Sequence, residues 1–434
     1  MIKIGVPYIY TDGKRAYLKA PIVISEDTSK TYMNIKKYMR KVHWRVDENY
    51  PPKEWRQDDF GLWFSVDAKY KEFLHSETAD AFVVAMLWYG MTTGSDIISE
   101  APVSEQLLFR VNNLLIPALC TEKNNYRRII IEAPTVNTIY NKSLGVGTGM
   151  SCGIDSLYTL WKYSNIEMSD KKLTHLTYFN MGAIFHPDSS SKTKYSLREF
   201  YKKTDEMSEE KIKNAEEVAN KVSLPLISVH SNIDSDIYRG AYGYTAVYRN
   251  CACALALQKL FSTYYCSSAG WPDYFDLNLS EGSEHYESLL CSCFSTESLS
   301  FEMSDYVTRI EKTVALGNYP LAWNYLDVCF NFHNCGSCPK CFRTLITLEI
   351  IGALDNFNRV FDVDSYRKNR AKAYGWLLYG RLGDERDDNA VFARDIYRLA
   401  KEKHIKIPAC SRVYMIKNAA VGFLVKLKHR LFPS

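Results

Sequence analysis

Between about Asn141 and Gly352 the chain alternates short apolar runs with amphipathic helical stretches, and that alternation restricts the fold more than any other feature. Leu144 to Met150 reads as a Gly-rich strand, Ile154 to Tyr163 as a helix with Ile154, Leu157, Tyr158 and Trp161 on one face, and Leu173 to Asn180 as a strand. A helix over Lys211 to Val222, a strand over Leu226 to His230, a helix over Arg249 to Phe261 and a strand over Thr263 to Ser267 continue the series. Parallel strands need long crossovers and helices supply them, so the pattern predicts an α/β fold with a doubly wound parallel sheet. Ligands on such sheets lie beyond the carboxyl ends of the strands.

The flanks read differently. Residues 1–140 predict a small α+β domain: a strand near Leu62 to Val66, a helix from about Thr78 to Tyr89 with Ala81, Val84, Ala85 and Trp88 on one face, and a strand at Asp96 to Ser99. A second helix follows with Ser104 as N-cap and Leu108, Val111 and Leu115 on one face, then a strand at Arg128 to Ile131. Residues 355–434 predict a helical C-terminal region. Its final stretch carries Arg412, Lys417, Lys426, Lys428 and Arg430 without an acid, which suits an anionic membrane surface less well than docking on protein.

Composition sets the class. A chain of 434 residues, 46% hydrophobic, has enough apolar material for more than one core. A formal net charge of +4 argues against nucleic acid as a partner without excluding it. The start of the chain has no apolar leader and no stretch is long enough to span a bilayer, so a cytoplasmic protein is expected. A homodimer is compatible with all of this.

The stretch GTGMSCGIDSLYTLWKY, from Gly147 to Tyr163, is rich in small residues where the strand gives way to the helix. Small residues let backbone N–H groups approach an anion, the helix N-terminus adds about half a positive charge, and the Ser151 and Ser156 hydroxyls can donate. The loop suits phosphate. It matches neither the Walker A pattern nor the dinucleotide fingerprint. Asp155 beside phosphate implies an intervening cation, here Mg²⁺. Read alone, the segment also fits a plain strand-to-helix turn with Ser and Asp as caps.

A second cluster lies in VCFNFHNCGSCPKCFRT, where Cys329, Cys335, Cys338 and Cys341 are spaced C-x5-C-x2-C-x2-C. Four thiolates at that spacing wrap a tetrahedral Zn²⁺ and leave no open position. An iron–sulfur cluster is the competing reading, although Leu345 stands where a ferredoxin run places its fourth cysteine, and a redox C-x-x-C pair is the third. His333 is an alternative ligand. Elsewhere His186, His230 and His285 follow strand-like or turn segments, and Glu281, Glu284 and Glu287 form an acidic run read either as a pocket wall or as a solvated loop.

SCGIDS resembles the S-G-G-x-D-S pyrophosphate loop of the N-type ATP pyrophosphatases, departing from it at Cys152, where a required positive φ would strain a residue bearing Cβ. Cys152 reads either as a tolerated small residue or as a catalytic thiol. With the late cysteine knot followed by CFRTLITLE, residues 141–354 are similar to the 7-cyano-7-deazaguanine synthase group. YFNMGAIFH, YRN and, more loosely, TRIEKT resemble further segments of that group. The resemblance implies an adenine nucleotide alpha hydrolase-like, Rossmann-like domain that binds ATP, Mg²⁺ and Zn²⁺. It implies Ser151, Asp155 and Ser156 as catalytic residues and Ser151 to Ser156, with Cys152, Gly153 and Ile154 among them, together with Met181, Gly182, Arg249 and Asn250, as the ATP site. The implied activity is an ATP-dependent ligase: a small-molecule carboxylate or amide is adenylated, pyrophosphate leaves, and ammonia or an amine displaces AMP. Two alternatives stand beside it, a tRNA-thiolating enzyme and an ATP-binding sensing or assembly subunit without turnover.

Overall fold

The computed structural model describes residues 1–25, 60–121, 126–164, 166–182, 197–238, 242–268, 275–277, 282–329, 331, 333–384 and 387–431. His186 and Glu281, singled out in the sequence, lie outside them. The chain forms two compact units, one of Met1–Met150 with Lys162–Tyr306, the other of Ser151–Trp161 with Val307–Ser434. This division differs from the expected boundaries near 140 and 354.

Among the described residues, the first unit is built on an eleven-stranded sheet. Five strands from the alternating region lie side by side and parallel, in the order β13 (Ser300–Met303), β12 (Phe261–Cys266), β9 (Gly145–Gly149), β10 (His175–Asn180) and β11 (Leu226–Ser231). The order reverses at β9: the chain steps outward through β10 and β11, then returns to β12 and β13 on the other side. That reversal is a topological switch point between β9 and β12, and the carboxyl ends beside it are where open α/β sheets bind ligands.

Most of the described strands of residues 1–140 extend the same sheet. β4 (Gly61–Asp67) pairs antiparallel with β11 and β3 (Arg15–Ile24) with β4; β1 (Ile2–Ile4), β5 (Ile97–Ser99) and β7 (Ile131–Glu132) continue to the edge, and β2 (Tyr8–Thr11) pairs with β3. Two short strands, β6 (Val103–Ser104) and β8 (Thr135–Val136), pair separately. β3 alternates along its length, burying Ala16, Leu18, Ala20 and Ile22. That period of two is a strand signal.

Helix α1 (Asp80–Thr93) has no polar face; all its residues are buried except Thr92. Its expected one-sided stripe is therefore a fully enclosed core helix. Its first residue, Asp80, is buried and accepts from the Ser104 amide at 2.8 Å, the Ser104 hydroxyl at 2.6 Å and Gln258 Nε2 at 2.9 Å. Ser104 does precede a helix, Glu105–Arg110, but its hydroxyl is spent on Asp80 rather than on a cap. The glycines of β9 serve packing: a Cβ at Gly147 would lie 2.5 Å from the Phe261 ring.

The second unit is mostly helical, as expected for the C-terminal region. It holds the start of α2 (Ile154–Ser164), then α6 (Arg309–Leu316), α7 (Pro339–Ile350), α8 (Arg370–Gly380), α9 (Asp388–Glu402) and α10 (Ser411–Leu431); α3 (Leu197–Lys221), α4 (Tyr242–Leu255) and α5 (Glu287–Phe294) belong to the first. The basic segment is α10, and it docks on α8, where a Cβ at Gly375 would lie 2.4 Å from that of Tyr414. No helix among the described residues is long and apolar enough to cross a membrane.

Candidate anion and metal centre

Chain leaving β9 turns through Ser151–Gly153 into α2. Ser151 is exposed, Cys152, Ile154 and Ser156 are buried, and Gly153 and Asp155 are half-buried. The two serine hydroxyls lie 3.3 Å apart, the Gly153 amide approaches Ser151 Oγ at 3.4 Å, and the Ser156 hydroxyl donates to the Gly153 carbonyl at 3.2 Å. Cys152 adopts φ = 59°, in the left-handed region that costs an L-residue about 1–2 kcal/mol. Its carbonyl accepts from the Asp327 amide at 2.8 Å, which ties the turn down. The thiol is 1% exposed, so it fills space beneath the loop instead of facing solvent.

Around Asp155 the structure assembles residues remote in sequence. Arg309 Nη2 lies 2.6 Å from Asp155 Oδ2 and Lys312 Nζ 3.5 Å from Oδ1, both from α6, whose start is fixed by a capping box between Thr308 and Glu311. From α7, Lys340 and Arg343 act on the same carboxylate. The guanidinium of Arg343 rests 4.4 Å above the Phe392 ring and that of Arg309 5.3 Å from it. Burial by itself raises Asp155, but the charges of Arg309, Lys312 and Arg343 outweigh it and hold the carboxyl below its ordinary value. Burial together with Arg343 and Arg309 pushes the Lys340 ammonium down to about 7. Arg309 and Lys312 thus pair with one carboxylate at the N-terminus of a helix, with Arg343 and Lys340 within electrostatic reach, a concentration of basic side chains that favours a polyanion. Both oxygens of Asp155 meet side-chain cations. The cationic set was missed from sequence, although its segments, TRIEKT and CFRT, were marked.

The four cysteines meet as expected. Cys329 Sγ and Cys338 Sγ are 3.8 Å apart, Cys335 Sγ and Cys341 Sγ 3.9 Å, and all four lie within 4.8 Å of one another. Tetrahedral zinc with Zn–S near 2.3 Å places its sulfurs about 3.8 Å apart, so the set fits that ion. The backbone supports it: the Asn331 amide points at Cys329 Sγ (3.5 Å), the Cys341 amide at Cys338 Sγ (3.4 Å), and Ser337 Oγ at Cys335 Sγ (3.6 Å). Gly336 at φ = 64° makes the tight turn, Cys338 caps α7 and Pro339 opens it. His333 is exposed and outside the cluster.

The remaining expected site residues, Met181, Gly182, Arg249 and Asn250, belong to the first unit. Arg249 is 0% exposed in mid-α4, not at a helix entrance. Its Nη1 donates to Asp234 Oδ1 at 2.6 Å and to the Met181 carbonyl, its Nε to Thr245 at 2.7 Å, and Tyr238 and Tyr242 stack beside it. A guanidinium paired with a buried carboxylate braces the core. Met181 is buried, and Gly182 (φ = 92°) abuts Asp234, where a Cβ would collide. Asn250 is half-buried on α4. His285 and Glu287 are buried, and His230, half-buried on β11, is pushed down to about 4 by burial and by Arg15. No family model, curated protein or solved structure matches the chain.

Proposed function

We propose that the second unit binds the phosphate chain of ATP and that the protein is an adenylate-forming ligase with an adenine nucleotide alpha hydrolase-like fold. The observation that carries this reading is the convergence of Arg309, Lys312, Lys340 and Arg343 on Asp155 at the start of α2, beside the Ser151 and Ser156 hydroxyls. A carboxylate oxygen of the acceptor attacks the α-phosphorus of ATP, and the bond from that phosphorus to the bridging oxygen breaks. Pyrophosphate leaves with the bonding electrons, and its developing charge falls on the cations and the loop donors. An amine nitrogen then attacks the acyl carbon, loses a proton and displaces AMP. Mg²⁺ enters as the counterion of ATP. Zinc, when bound by the four cysteines, holds the α7 N-terminus and with it Lys340 and Arg343; a closed tetrathiolate offers no vacancy for chemistry.

The test is incubation with Mg²⁺ and α-labelled ATP, with and without a metabolite extract. Extract-stimulated AMP and pyrophosphate are expected, with a loss of about a hundredfold or more in Arg309→Met. Formation of ADP contradicts the reading. ATP binding without cleavage in any mixture replaces it by the sensing or assembly subunit.

A further inference from the structure

Three of the cysteines outside the zinc knot also converge. Cys251 lies within α4, Cys266 is the last residue of β12, and Cys291 is in α5; their sulfurs lie within 4.8 Å of one another. All three thiols are in mutual hydrogen-bond contact. Cys251 and Cys291 are buried and Cys266 partly so, and none is in a disulfide.

We propose that this trio is a second metal site, holding one thiophilic divalent ion, Zn²⁺, on three thiolates with a fourth position left to a non-cysteine ligand. Three arguments carry it. The first is distance: three sulfurs around one zinc stand about 3.8–4.0 Å apart at Zn–S near 2.3 Å, and the three here lie within 4.8 Å of one another. A cubane iron–sulfur cluster binds each thiolate to a different iron and spreads the sulfurs wider. The second is placement. Cys266 ends β12 at the carboxyl edge of the sheet, beside β9 and therefore at the switch point where open α/β sheets take their ligands. The third is access and polarity. Cys291 contributes to the wall of a groove of about 620 Å³, also lined by Gln106, Arg110 and Ser288, so the cluster lies against a polar recess. One turn before Cys291 on the same helix, the buried Glu287 accepts from Ser268, two residues beyond Cys266, at 3.1 Å. Three thiolates leave the ion a vacancy that four deny it, so this site, unlike the knot, is able to bind a donor atom of a small molecule. The inference does not rest on the ATP reading.

The full chain, purified under reducing conditions, equilibrated with Zn²⁺ and freed of loose metal, is analysed for zinc per chain by mass spectrometry of the metal. About two ions per chain are expected, falling to about one in Cys266→Ser and in Cys291→Ala. Cobalt substitution gives a readout independent of variant folding. Wild-type protein is expected to take up Co²⁺ in two titration steps, the second distinguished by a visible spectrum that shifts when imidazole is added. One zinc per chain in the wild type, a content unchanged by both variants, iron with sulfide in place of zinc, or a single cobalt step overturns the proposal and leaves three packed thiols.

Discussion

Cys152 sits at φ = 59° with its side chain buried, so two effects oppose each other there. Cys152→Gly relieves about 1 kcal/mol of left-handed strain and gives up a comparable burial term, and its unfolding free energy in urea is expected within about 1 kcal/mol of wild type. Cys152→Val adds a β-branch to the same backbone and is expected to cost more than about 2 kcal/mol. Asp155 carries the complementary prediction. Asp155→Asn leaves Arg309, Lys312, Lys340 and Arg343 facing one another, so a loss of about 2 kcal/mol or more is expected, with a larger stabilisation by added pyrophosphate than the wild type shows. Equal stability of the variant in pyrophosphate-free buffer contradicts the cationic excess. At this scale the loop and the knot were legible because their residues are neighbours in sequence. Arg309 and Arg343 were not, since only folding brings α6 and α7 to a carboxylate at position 155. The three-thiol cluster was less visible still: Cys251, Cys266 and Cys291 have no local spacing signature.

Two elements make their own predictions. In β11, His230 is held neutral in the folded state, with a pKa near 4 against 6.5 when unfolded. The unfolded chain therefore binds the extra proton first, and stability is lost as pH falls from about 6.5 towards 4, by up to about 3 kcal/mol. Denaturation at pH 7 and pH 5 is expected to show this loss in the wild type and a smaller one in His230→Gln. In α7, the knot fixes the N-terminal turn that carries Lys340 and Arg343. Removing zinc with a chelator is expected to weaken pyrophosphate binding at least about tenfold and to restore it on adding zinc back; unchanged affinity separates the knot from the anion site. Helix α1 shows where pattern reading stops: a one-sided stripe was read from sequence, whereas the sheet and neighbouring helices enclose it on every side.

For the whole molecule, the alternating strands and helices were legible because their apolar runs are short and regularly broken, and β9 to β12 fall within a few residues of their expected positions. The sheet's extension through β4, β3, β1, β5 and β7 was not. Antiparallel joining of β4 to β11 is a long-range pairing with no local trace, so a continuous sheet looked like a separate N-terminal domain. The central claim is that the Asp155 neighbourhood holds a phosphate chain, and calorimetric titration of the full chain with inorganic pyrophosphate tests it most directly. Saturable binding near one per chain, weakened at least about tenfold in Arg343→Met, is the predicted result. No binding, or the same affinity in the variant, contradicts it.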